Sequence, residues 1–491
     1  MNTEDMKPRL TARQWTVLGL LSSVAFLVVV DTATVITALP SMRTDLGFSP
    51  AGLQWVVTGY TLALGGLTML GGRLADRFGR RRVFLTGLGL FTVTSWLCGI
   101  AWTAEVLVAA RIAQGVGAAL VMPAALSILM VSFAEGPVRN KALGMWASVG
   151  GLGGIAGFVL GGPLIDGPGW GWIFFINIPV GVIVFAAVLR VLDRDGAASS
   201  GRGFDVGGAV TATGGLAALV YGISAVPETG WGHPTVLISL AAFVIAAVAF
   251  VLIERRAATP LVPLRLFANP VLSGGNLVLL LMGMAINGTW FVVTLYVQGL
   301  LGYSATGFGL LMLAPAATSV IGAQLGQRLV NRFSLGSMAA AGAGAIGVAV
   351  ALLLRVTPDS GLVSTVLVPV LVIGLAFGVG IVAASIAALA GVPAADAGAA
   401  SGVKESTFMI GSPIGVALLS SVAVWGESAA LDGGAAGPDA AVQGFRLAFA
   451  AAVLLAVAAV VIALTAMRRR AVASEAAPVE ESTAVALGLG S

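Results

Sequence analysis

The feature that most constrains this chain is a series of unbroken apolar runs, each about 20 residues long, the length at which a helix crosses a hydrocarbon core. Short breaks that are charged or rich in Gly and Pro separate them. Only 10% of residues are charged and 58% are hydrophobic, whereas a soluble domain carries about 25% charged residues. No water-soluble fold can hide this much apolar surface, so the solvent must be lipid. Membrane barrels alternate apolar and polar residues along each strand, and these runs do not alternate. The 67 glycines fit helices that approach one another closely.

Reading the runs between breaks places spans at 15–39, 50–71, 82–101, 105–132, 141–165 and 171–190. Two more fall at 206–226 and 235–253. Six follow at 271–299, 305–327, 336–355, 362–390, 398–425 and 444–467. The expectation is an all-α polytopic membrane protein of about fourteen spans. Residues 1–14 form an N-terminal segment, and the tail 468–491 reads as disordered. The first run is too long for a cleavable signal peptide. With the N-terminus inside, 21 Lys and Arg residues lie on the inner side against Arg43, Arg355 and Arg446 on the outer side. Both termini are therefore expected in the cytoplasm, in a bacterial-type inner membrane. The single Cys98 reads as a packing residue and His233 as a solvated loop residue, and no Cys/His cluster suggests a metal.

A repeat organises the runs. Arg73-Leu74-Ala75-Asp76-Arg77-Phe78 follows the second span, and Arg328-Leu329-Val330-Asn331-Arg332-Phe333 follows the tenth. Each is the inner loop after the second helix of a six-helix set. The simplest arrangement is six helices at 15–190, an inserted pair at 206–253, and six more at 271–467. Parallel six-helix halves around a midplane site are a common transporter plan.

With these motifs the sequence resembles the major facilitator superfamily, and more closely its fourteen-span drug:proton antiporter family (the EmrB/QacA type). Gly72 to Arg82 resembles the superfamily's signature loop. Asp31 to Pro40 resembles the family's first-span motif, Arg111 to Ala119 its fourth-span motif and Trp172 to Gly181 its sixth-span entry. Tyr296-Val297-Gln298 and Ala400-Ser401-Gly402 match patterns in the second half. The fifth-span antiporter motif, with Gly154, Gly157, Gly161 and Gly162, lacks the family's usual proline. The resemblance implies a major facilitator fold that exports hydrophobic or cationic drugs in exchange for protons. One endogenous metabolite or lipid is the alternative cargo. An enzyme is not implied, since no acidic metal-binding pair or His/Ser constellation is evident and no loop is long enough for a catalytic domain. No Gly-Lys-Ser/Thr follows the glycine run, so no ATP site is expected and the energy must come from an ion gradient. The basic residues lie in loops between spans and signal no nucleic-acid partner.

A charge at the centre of a membrane helix costs roughly 2.5–3.5 kcal/mol on insertion scales. Asp31, Arg111 and Glu405 lie well inside spans. Asp31 is nine residues before Pro40, about 13 Å along a helix, and Arg111 is six residues after Glu105, about 9 Å. At that similar depth Asp31 can be a protonatable group tuned by Arg111, or the two can form a purely structural pair. Glu405 can neutralise a cationic substrate or hold a second proton. Alternatively it pairs with Lys404 or a neighbouring helix, although Lys404 should point about 100° away from it. Gly72, Arg73, Asp76, Arg77, Gly79 and Arg80 are either a solvated loop or a latch that favours one conformation. Tyr60, Asn177, Asn287, Trp290, Tyr296, Gln298, Glu405 and Phe408 are candidates for a largely apolar substrate wall. Gly154, Gly157, Gly161 and Gly162 give one helix face almost no side chains, which suits close packing and sliding.

Overall fold

A computed structural model describes residues 10–133, 137–193, 205–257, 260, 262, 264–393 and 397–467. The reading of 468–491 as a tail, and most of that of residues 1–14, lies outside these residues. The first set comprises α1 (Ala12–Leu46), α2 (Pro50–Leu53), α3 (Trp55–Phe78), α4 (Arg80–Gly99), α5 (Ala104–Ser132), α6 (Pro137–Asp166), α7 (Trp172–Phe175) and α8 (Asn177–Val191). The inserted pair is α9 (Val206–Thr229) and α10 (Pro234–Arg256). The second set is α11 (Pro270–Thr294), α12 (Ala305–Leu329), α13 (Leu335–Leu352), α14 (Val368–Ala387), α15 (Ala397–Asp432) and α16 (Gly437–Ala466).

Among the described residues, twelve helical segments are long and apolar enough to cross a membrane, rather than the fourteen expected. The two others are α3 and α6. The apolar character of α3 is diluted by Thr58, Tyr60, Thr61 and Thr68 and by the charges of its last turns. In α6 the apolar described stretch is short, Leu152–Asp166.

Local signals explain where the helices begin and end. Thr11 and Gln14 form a capping box that opens α1, and Gly47, left-handed at φ 66°, closes it. Thr103 accepts the N–H of Val106 to start α5, and Ser304 accepts that of Gly307 to start α12. His233 is exposed, as expected, and has a local role besides. Its ring nitrogen accepts the N–H of Thr235 and caps α10. The α1 helix runs on through Pro40 to Leu46, so Pro40 does not end the first span as expected. Membrane helices tolerate such prolines because neighbouring helices and Ser/Thr side chains satisfy the freed backbone groups. Cys98 is buried.

The same neighbour relations recur in both sets. In the first, α1 packs on α6, α3 on α5, and α4 on α5 and α8. In the second, α11 packs on α15, α12 on α14, and α13 on α14 and α16. The two repeat motifs therefore occupy equivalent joins, α3 to α4 and α12 to α13. The sets meet through α6 against α12 and α3 against α15, which are exchanged by the same equivalence. In the inserted pair, α9 packs on α10 and also on both α3 and α15. It therefore touches both sets.

Below, the near end of the bundle is the one where α1 begins, and the far end is the one where α1 finishes.

Candidate functional site

The most buried ionic group is the pair expected from the sequence. Asp31 on α1 is 0% exposed and Arg111 on α5 is 1% exposed. Arg111 Nη1 donates to Asp31 Oδ2 at 2.5 Å and to Gln114 Oε1 at 2.6 Å. Arg111 Nε donates to the Val56 carbonyl at 3.1 Å. The guanidinium lies 4.1 Å from the centre of the Tyr60 ring and 5.6 Å from that of Phe174. The other carboxylate oxygen, Asp31 Oδ1, accepts from Gln114 Nε2 at 2.9 Å and from Asn177 Nδ2 at 3.0 Å. Ser95 on α4 accepts from Gln114 at 2.8 Å. Six helices, α1, α3, α4, α5, α7 and α8, thus converge on one ion pair. Such a charge persists in an apolar interior only when paired and hydrogen-bonded.

Gln114 and Ser95 were not picked out from the sequence. Gln114 carried a signal, because it sits one helical turn after Arg111 and so shares its face. Ser95 carried none, being one hydroxyl in an apolar helix. Tyr60 and Asn177, candidates for a substrate wall, lie fully buried inside the first set as partners of this pair. Tyr296 is likewise buried in the second set, donating to the Thr357 carbonyl at 2.9 Å and packing edge-on to Phe445.

The glycine face of α6 serves two neighbours. A Cβ on Gly157 would stand 2.6 Å from Ala33 Cβ, and one on Gly161 would stand 3.2 Å from Thr34 Cγ2. The first faces the α1 turn that follows Asp31. Gly162 instead abuts the Thr306 backbone of α12, in the other set, and Gly309 of α12 abuts the Phe158 carbonyl. Gly154 faces open space.

Polar contacts between the sets gather at the far end. A π-helical turn, Leu295–Leu300, ends α11 and carries Gln298, which donates to the Thr37 carbonyl at 3.0 Å. Ser420 donates to Gln54 Oε1. Asp166, the exposed last residue of α6, accepts the backbone N–H groups of Ala305 at 3.2 Å and Thr306 at 2.8 Å. A carboxylate of the first set thus caps a helix of the second. Burial pushes its pKa up, but the hydrogen bonds from Thr306, Ala305 and Ser304 outweigh burial and hold it below the ordinary value. Beside these contacts a cavity of about 710 Å³ opens at the far end, lined by Arg43, Asp166, Gln298 and Glu427 among others.

At the near end, Gly79 joins α3 to α4 at φ 101°, a conformation that side chains disfavour. The tight join brings Asp76 Oδ1 to 3.7 Å from Arg80. Arg73 reaches the Pro260 carbonyl beyond α10, and Arg77 lies against the Phe78 ring. Gly72 lies near Pro123 of α5.

On α15, Lys404 Nζ stands 3.2 Å from Glu405 Oε2. The expected 100° divergence holds for the Cα–Cβ bonds only, and two long side chains bridge it. Phe408 stacks on Phe377 with ring centres 5.9 Å apart. Asn287 returns its amide to the Gly283 carbonyl, and Trp290 is half-buried on the same helix.

Comparison with known proteins adds what geometry cannot. Residues 21–416 match the Major Facilitator Superfamily model. The chain is 43% identical over 425 residues to the cephamycin export protein CmcT of Amycolatopsis lactamdurans, covering 85% of this chain and 87% of that one. It is 39% identical to the puromycin resistance protein pur8 of Streptomyces alboniger, over 90% of each chain. Among solved structures it resembles a bacterial homologue of the human lysosomal transporter Spinster in an inward-facing, occupied conformation. That match has TM-score 0.66 and 16% identity, and covers 94% of this chain and 98% of that one. At such identity the likeness concerns the fold alone.

Proposed function

The chain belongs to the Major Facilitator Superfamily, and from that premise we propose that it is a proton-coupled antiporter that exports antibiotic-like molecules by alternating access. The observation that carries the reading is the Asp31–Arg111 pair, held out of water by six helices. In this reading the sealed carboxylate exchanges a proton with water only when the helices around it change position. An exchange of conformations supplies that change, so proton binding and helix movement become linked. The substrate class comes from relatives named for export of cephamycin and resistance to puromycin.

In this reading α3 and α6 also cross the membrane, giving fourteen spans and the EmrB/QacA-type arrangement, with both termini in the cytoplasm. The polar contacts at the far end then close the outer face. Asp76 and the arginines of the near-end loop form a latch that changes partners between states, with Gly79 setting the join. Asn287, Trp290, Gln298, Phe408 and Glu405 provide substrate contacts, and Lys404 leaves Glu405 for a cationic substrate. Tyr60 acts on Arg111 and Asn177 on Asp31, rather than on the substrate.

The test is proton movement in inside-out vesicles with an acid interior. Cephamycin, puromycin and a panel of cationic and neutral amphiphiles should each be added in turn. Dissipation of the gradient by some compounds, absent in Asp31→Asn vesicles, is the expected result. Equal dissipation by the variant removes Asp31 from the coupling. No response to any compound would favour a single endogenous metabolite or lipid as cargo.

A further inference from the structure

A second cavity, of about 280 Å³, lies away from the Asp31 pair, where the inserted helices meet both sets. Met69 of α3, Ala212 of α9, Phe243 and Phe250 of α10 and Ser406 of α15 are among its walls. No residue lining it carries a charge. Its volume falls just below the range for ligand pockets, roughly 300–1,000 Å³, so only a small molecule or part of one fits.

One wall residue is unexplained by packing. Ser406 is 3% exposed and its hydroxyl has no hydrogen-bond partner. Its neighbour Thr407 shows the usual solution on a membrane helix, donating back to the Val403 carbonyl at 2.8 Å. A buried hydroxyl without a partner is costly, and one that borders an apolar cavity is positioned to bond whatever fills it.

We propose that this cavity is a lateral binding site for a small, uncharged, lipid-soluble molecule that offers a single hydrogen-bonding group to Ser406. A charged molecule finds no counter-charge there. A molecule without a polar group leaves the hydroxyl unsatisfied. The chemistry is that of a medium-chain alcohol or the ester end of a lipid tail. The site is also a place to interfere. Its occupant touches α3 of one set and α15 of the other, together with α9, and so ties two elements that must move apart. Its effect on exchange rests on the transport reading above, whereas binding does not.

The test uses the full chain in phosphatidylglycerol nanodiscs, photolabelled with diazirine-bearing octan-1-ol. Labelling is expected on peptides covering 209–216 and 403–410, and unlabelled octan-1-ol should saturate it. Ser406→Ala should weaken the half-saturating concentration about fivefold, the loss of one neutral hydrogen bond. Ala212→Phe should fill the cavity and abolish labelling at both peptides. Label that does not saturate, or saturation unchanged in Ser406→Ala, overturns the site. Should Ala212→Phe fail to fold, the Ser406→Ala measurement still decides. Repeating the titration after exchange into lipid-free micelles separates the sources. Tighter octanol binding without lipid identifies a resident lipid tail as the competitor, and unchanged binding identifies a free solute site. Slower proton exchange in the presence of octan-1-ol, absent in Ala212→Phe, is the expected consequence for transport. Saturable labelling with unaffected exchange would sustain the site and refute its coupling to movement.

Discussion

Replacing Asp31 by Asn tests the reading most directly, because the surrounding bonds state what is lost. The carboxylate accepts on both oxygens: Oδ2 from Arg111, Oδ1 from Gln114 and Asn177. An asparagine has one acceptor and one donor end. Turned one way, its carbonyl keeps Gln114 and Asn177 but its NH₂ meets the Arg111 guanidinium, donor against donor. Turned the other way, it faces Arg111 correctly and opposes two amide donors. In both cases Arg111 keeps its charge at 1% exposure with no counter-ion. Removing one partner of a buried pair costs about 3–5 kcal/mol. Asp31→Asn should therefore unfold at markedly lower temperature in detergent, as well as losing coupling. The double variant Asp31→Asn/Arg111→Met removes the stranded charge and should regain most of the stability without regaining coupling. The melting temperature is read by fluorescence and coupling by proton flux in reconstituted vesicles. If Asp31→Asn melts like the wild type, the charge is not isolated as described and the argument from burial fails. If the double variant exchanges protons normally, the pair is structural only.

Other outcomes follow from the helix contacts. Gly157→Leu should lose folded yield, because even its Cβ stands 2.6 Å from Ala33 Cβ, whereas Gly154→Ala should express normally because nothing lies within 4 Å of the added methyl. Asp166→Asn should raise labelling of a Gln298→Cys reporter from the far end, since a neutral cap holds the start of α12 less well. The depressed pKa of Asp166 fixes the sign with pH. The capping bonus is complete above the ordinary carboxylate value of about 3.9 and is lost as pH falls through the lower folded value. Reporter labelling of the otherwise wild-type chain should accordingly be flat from near-neutral pH down to about 3.9, rise as pH falls from there, and level off below the lower folded value. Asp76→Asn should leave stability within about 1 kcal/mol, as its pair with Arg80 is exposed, yet slow turnover measured by vesicle flux.

The positions of the helices were legible because lipid imposes a single length scale on apolar runs, and a charge stands out against that background. Asp31 and Arg111 could be placed at similar depth by counting residues from Pro40 and Glu105. Their partners were harder to see. Ser95 and Asn177 are small polar groups whose value lies in where six helices meet, which no single helix encodes. Tyr60 illustrates the same limit. An aromatic ring in an apolar helix is as suited to a ligand wall as to the face of a guanidinium, and only the neighbouring helix decides. The end of α1 was misplaced because Pro40 reads as a break in water but not between packed helices. The sequence also could not tell that the inserted pair reaches both sets through α9, since an apolar helix face does not encode which distant helix will cover it.

The glycines of α6 have a mechanical consequence. Gly157 and Gly161 bear on α1, just beyond the carboxylate, and Gly162 bears on α12 across the divide. Adjacent residues of one helix therefore ride on two different rails. Under the proposed exchange, a small rotation of α1 would meet no compressible side chains and would be passed at once to the contacts between the sets at the far end. In that mechanism the smoothness of the helix would make it a stiff transmission rod: what the sequence shows as an absence of side chains would act, in the assembled bundle, as an absence of backlash.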